Sequence, residues 1–123
     1  MGLQTFRDYS SLIGVSYSER DCWGIVVSFY RLHGVNLPMF YDLETRPCAY
    51  STQDLIDKSK RHFKEISHLE YGSIVLIRLH GVPTHVGVYV GDGMILHTTE
   101  ATGCILEPLR KWQRHIEGIY DYV

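Results

Sequence analysis

Apolar side chains at Cys22, Ile25, Val26, Phe29 and Leu32 keep the i, i+3, i+4, i+7 spacing of one helical face. Asp21 immediately before them is a good N-cap, and Gly34 falls where a left-handed residue ends a helix. The spacing therefore predicts a helix from about Cys22 to His33. A weaker pattern, with Leu55 and Ile56 turned inward behind Thr52 as cap, predicts a second helix over Thr52–Arg61. From Tyr71 onward the pattern changes to short β-branched runs punctuated by glycine. These runs predict strands at Ser73–Leu79, His85–Val90, Met94–Thr98, Gly103–Leu106 and Gly118–Val123. Helix first and sheet second reads as α+β with an antiparallel meander.

The run His85-Val86-Gly87-Val88-Tyr89-Val90 puts Val86, Val88 and Val90 on one strand face and His85, Gly87 and Tyr89 on the other. Gly91-Asp92-Gly93 and then Met94-Ile95-Leu96-His97 complete a hairpin. His85 and His97 share a face only if the connecting loop holds an odd number of residues, because a one-residue change in register turns every side chain over. A loop made of Gly91, Asp92 and Gly93 meets that condition. It pairs Val90 with Met94 and Gly87 with His97, and leaves the two histidines diagonal to each other, within reach of their imidazoles.

Cys22 occupies the first position of the expected helix. Unpaired backbone N–H groups and the positive end of the helix dipole there favour a thiolate and can hold an oxyanion. Gly24, in the first turn, costs about 1 kcal/mol of helix propensity relative to alanine, which suggests a close approach at that point. The competing reading makes Cys22 a small buried member of the apolar stripe. The histidines supply what a cysteine nucleophile needs next, a base and a group that orients it.

Composition narrows the setting. The chain has 123 residues, 45% of them hydrophobic, enough for one self-sufficient domain over residues 1–123. Twelve Lys and Arg against 14 Asp and Glu give a formal charge of −2, without the basic patch of a nucleic-acid binder. No stretch approaches the ~18 apolar residues of a membrane span, and no signal peptide is visible at the N-terminus. The three cysteines, Cys22, Cys48 and Cys104, form no CxxC pair, so neither a disulfide framework nor a zinc ribbon is expected. Cys48, Cys104 and the histidines other than His85 and His97 are read as structural or surface residues. A zinc site built from Cys22, His85, His97 and Cys104 lacks a supporting carboxylate motif.

Several blocks together resemble the NlpC family of cysteine peptidases. They are Tyr17, Asp21-Cys22-Trp23-Gly24-Ile25-Val26, Gly34-Val35-Asn36-Leu37-Pro38, Tyr71-Gly72-Ser73-Ile74-Val75-Leu76, His85-Val86-Gly87-Val88-Tyr89-Val90-Gly91-Asp92-Gly93 and Ile95-Leu96-His97. The resemblance covers nearly the whole chain. It implies a minimal papain-like fold, with the nucleophile-bearing helix packed on a central antiparallel sheet, in which Cys22 attacks, His85 serves as general base and later acid, and His97 orients His85. Tyr17, Asp21 and Trp23 flank the nucleophile as implied substrate or oxyanion contacts. The implied substrate is a peptidoglycan stem peptide, cut between D-γ-glutamate and diaminopimelate or lysine, with no metal or organic cofactor.

Departures from the family pattern refine the setting. Asp-Cys-Trp-Gly replaces the usual Asp-Cys-Ser-Gly, and the loop from Tyr17 to Cys22 is short. Both look more like phage tail members, which implies tail proteins as partners and carriage in a virion after synthesis in the cytoplasm. Two other readings stay open: a structural module of a phage tail, and a papain-like amidase or acyltransferase effector.

Overall fold

The computed structural model describes residues 8–37, 63–79 and 82–122. Its elements are α1 (Cys22–Leu32), β1 (Phe63–Glu65), β2 (Ile74–Leu79), β3 (Val82–Tyr89), β4 (Met94–Thr99), β5 (Gly103–Pro108) and β6 (Ile116–Tyr122), with three short 3-10 turns. The strands form one antiparallel sheet in the order β1-β6-β2-β3-β4-β5. The expected meander is therefore β2 to β5, and β6 returns to the open side of β2. The expected helix at Thr52–Arg61 and the residue Cys48 lie outside the described residues.

α1 begins and ends as its sequence dictates. The Asp21 carboxylate accepts from Gly24 N–H at 2.8 Å, satisfying one of the donors that a helix start leaves unpaired. At the other end Gly34 adopts φ 81°. Val35 N–H donates to Tyr30 O at 2.9 Å and Gly34 N–H to Arg31 O at 3.0 Å, the paired closure of a Schellman motif. Gly24 has a local reason to be glycine: a Cβ there would lie 3.1 Å from Asp21 Oδ1 and 3.3 Å from Arg20 Cβ. The close approach expected at this position is made by the cap itself.

Burial of α1 extends well beyond one stripe. Trp23, Val27 and Tyr30 are buried with Cys22, Ile25, Val26 and Phe29, whereas Leu32, expected inside, is 40% exposed. Only Ser28 and Arg31 interrupt the apolar run from Cys22 to Leu32, and a helix apolar nearly all round is buried nearly all round. Trp23 meets Phe63 edge-on with ring centroids 5.9 Å apart, and Tyr30 meets Tyr122 at 6.1 Å. The Tyr30 hydroxyl donates to Gly72 O.

Strand alternation sorts the apolar residues into two clusters. Ile74, Val86, Val88, Leu96 and Cys104 pack with α1, while Val75, Ile77 and Ile95 pack with Leu109 and Trp112 on the second face. The register slips once between β2 and β3, after Ile77↔His85, and once between β2 and β6, before Ile77↔Ile116. Both irregularities flank Ile77, so the sheet bends where His85 sits. At the outer edge, β5 is covered by the N-terminal segment: Gly14 N–H donates to Cys104 O at 2.8 Å and Cys104 N–H to Val15 O at 2.9 Å.

Candidate active site

The β3–β4 hairpin has the register that puts its two histidines on one face. Val88 pairs with Leu96 and Tyr89 with Ile95, and Val90 N–H donates to Met94 O at 3.0 Å. Gly91, Asp92 and Gly93 therefore form the connection. Asp92 (φ 52°) and Gly93 (φ 74°) are both left-handed, as the centre of a type I′ turn requires, and Met94 N–H donates to Gly91 O at 2.9 Å. Gly91 (φ 89°) is the additional residue that makes the count odd.

His85 and His97 meet directly, with His85 Nε2 and His97 Nδ1 2.8 Å apart. Gly87 leaves the space for this contact. A Cβ at Gly87 would lie 2.6 Å from Ile95 Cδ1 and 3.0 Å from His97 Cβ. His85 is 3% exposed and His97 fully buried. Trp112 covers the pair, with ring centroids 5.3 Å from His97 and 6.0 Å from His85.

The second imidazole nitrogen of His97 has its own partner. His97 Nε2–H donates to Glu107 Oε1 at 2.6 Å, and Lys111 Nζ donates to Glu107 Oε2 at 3.1 Å. Burial would by itself raise Glu107, but its bonds with His97 and Lys111 outweigh that and hold it below the ordinary carboxylate value. Burial pushes His85 down to about 3, with the neighbouring His97 adding to the effect. Burial also lowers His97, although Glu107 opposes the shift. Both rings are therefore neutral at neutral pH, and Glu107 is charged.

Cys22 opens α1, is 8% exposed, and belongs to the apolar cluster on the α1 side of the sheet. Its backbone is the first residue beyond the Asp21 cap. Asp21 is buried, and its carboxylate serves the helix start. Trp23 is the second residue of the same helix. Its side chain is fully buried against Phe63, because the second helical position faces the core, so it anchors α1. Tyr17 is half-buried in the turn that leads to Asp21. The Cys104 thiol is buried on β5 and pushed up to about 12 by that burial. Among the described residues no group of three or more His, Cys, Asp or Glu side chains is arranged to hold a metal ion.

Glu107 lies just beyond Leu106, where the sequence pattern ends the strand, and β5 continues through it to Pro108. Glu107 pairs with Ile95, and His97 pairs with Ile105. The carboxylate is thus one diagonal step from the imidazole on the same face.

These observations define an α+β domain with a cysteine at a helix start and a buried, carboxylate-backed histidine pair on its sheet. Comparison with known proteins gives this class a family. A profile of the NlpC/P60 family matches residues 8–120, and the chain belongs to that family. It is 26% identical over 96 residues to the Escherichia coli (strain K12) protein named murein DD-endopeptidase MepS/murein LD-carboxypeptidase, covering 76% of this chain and 45% of that protein. The chain thus spans less than half the length of this curated relative. Two solved structures share the fold. An NLP/P60 family protein similar to lipoprotein, from Staphylococcus aureus Mu50, has a TM-score of 0.56 at 24% identity, over 83% of this chain and 32% of that one. An NLPC/P60 family protein from Bacillus cereus ATCC 10987 has a TM-score of 0.55 at 20% identity, over 80% and 30%.

Proposed function

We propose that this chain is a cysteine peptidase of peptidoglycan stem peptides, with Cys22 as nucleophile, His85 as base and His97 as the group that orients His85. The observation that carries the reading is the histidine pair, buried and hydrogen-bonded in a fixed orientation within a family that includes a relative named as a murein endopeptidase. The neutral His85 takes the thiol proton. The imidazolium then forms as one half of an ion pair whose thiolate offsets the burial that otherwise opposes its charge. Cys22 Sγ attacks the γ-glutamyl carbonyl, and the N–H groups at the start of α1 receive the oxyanion. His85 returns its proton to the leaving amine, giving a thioester, and then activates the water that hydrolyses it.

The finer parts of this reading are the bond and the setting. The bond is that between D-γ-glutamate and diaminopimelate or lysine, and the setting is a phage tail, supported by Asp-Cys-Trp-Gly and the short approach from Tyr17 to Cys22. Defined muropeptides incubated with the purified chain, with Cys22→Ala as control, test the reaction by the masses of the products. Cleavage lost in the variant is the expected result, and stems intact under all conditions refute it. Mass spectrometry of purified virions tests the setting, which absence of the chain from them removes.

A further inference from the structure

The hydrogen-bonded chain that begins at His85 ends on a carboxylate, and a carboxylate ion can only accept. Glu107 Oε1 therefore fixes a proton on His97 Nε2. In a neutral ring this leaves His97 Nδ1 as an acceptor, so His85 must donate from Nε2 across the 2.8 Å contact. A neutral His85 that carries its proton on Nε2 keeps the Nδ1 lone pair open. Without the carboxylate, His97 could place its proton on Nδ1 and donate to His85 Nε2. The His85 proton would then move to Nδ1, and the ring would offer a donor where a base is needed.

We propose that Glu107 is a positioning residue for the peptidase reaction: it holds His97 in its Nε2–H tautomer and thereby keeps the proton of neutral His85 on Nε2 and its Nδ1 lone pair open to act as the base. The kinetic part rests on the peptidase reading above; the tautomer assignment stands on the hydrogen-bond geometry of two buried, neutral rings. Three features of the site suit the role. Trp112 packs against both imidazoles, which helps to fix the orientation of the rings. Glu107 is pinned from the other side by Lys111. Its side chain is 19% exposed, whereas the His97 side chain it holds is wholly buried, so the carboxylate acts from the rim on a ring that has no access to solvent.

Histidine-labelled protein separates the two layers. Long-range 15N–1H spectra should show His85 and His97 each as a single Nε2–H tautomer. Glu107→Ala should give mixed tautomers for both rings, with kcat on a muropeptide reduced about 10- to 100-fold, by analogy with loss of the groups that orient metal-bound histidines, and KM little changed. Glu107→Gln retains a carbonyl acceptor and should recover part of both signals. If folded Glu107→Ala keeps the tautomers of the parent protein, the proposal fails. If the parent protein cleaves no muropeptide, the peptidase reading fails, and with it the assigned role in catalysis.

Discussion

Folding stability should fall as pH is lowered through the range in which a histidine in the unfolded chain takes up a proton, and His85 should supply most of the slope. In the folded protein burial holds His85 down at about 3, against about 6.5 in an unfolded chain. Between these values the unfolded state binds the additional proton, so protonation favours unfolding. The contribution is fully present above about pH 6.5 and is lost progressively towards pH 3. At pH 5 the unfolded histidine is almost wholly charged, one and a half pH units below its midpoint. At 1.36 kcal/mol per unit this corresponds to about 2 kcal/mol of lost stability relative to pH 7.5. His97, also lowered by burial, acts in the same direction. Glu107, lowered as a carboxylate, keeps its contribution at these pH values and loses it only in stronger acid. Urea denaturation at pH 5, 6, 7 and 7.5 measures the slope, and His85→Gln should flatten it. In the parent protein the ring signals of folded His85 should not titrate between pH 5 and 8. A ring that titrates near pH 6.5, or a slope that His85→Gln leaves unchanged, refutes the reasoning.

Three further outcomes follow from particular contacts. Gly87→Ala forces a methyl against Ile95 and His97 and should cost about 1–3 kcal/mol of overpacking, read as a lower urea midpoint; an unchanged midpoint would show that the space is not filled. Asp21→Ala removes the buried cap on Gly24 N–H and should cost about 0.5–2 kcal/mol, read in the same assay and restored in large part by Asp21→Asn. Cys104, buried and with its thiol pushed up to about 12, should resist iodoacetamide at pH 8 in the folded protein and react once urea is added; mass mapping that finds it alkylated at the rate of an ordinary thiol would contradict its placement in the core.

The parts of the site that could be read from the sequence are those governed by local rules. The Asp21 cap, the Gly34 stop and the helix between them follow from side-chain chemistry at helix ends, and they appear where the spacing puts them. The short strand β1 left no signal, since Phe63-Lys64-Glu65 is too brief for any alternation. Trp23 packs against Phe63, forty residues away in sequence, a tertiary contact that no local rule supplies. The scarcity of polar residues in α1 accounts for burial of more than one of its faces.

The histidine pair shows how much one local feature can decide. Asp92-Gly93 alone is a strong two-residue turn signal, and a two-residue loop would have sent His85 and His97 to opposite faces. Gly91, bulged out before the turn, restores the odd count and with it the contact. The same parity rule extends to the next hairpin. Thr99 pairs with Gly103, leaving Glu100, Ala101 and Thr102 as another odd connection. Residues 97 and 107 then share a face, provided that β5 continues to Glu107. Glutamate and proline are poor strand residues, so local propensity alone gives no reason for the strand to continue past Leu106. What keeps the strand paired to that point is Leu109, buried on the second face, with its N–H donating to Gly93 O at 2.8 Å in the β3–β4 turn. The glycine-rich turn thus acts twice: Gly91 sets the face shared by the two histidines, and Gly93 tethers the strand end that brings Glu107 to His97.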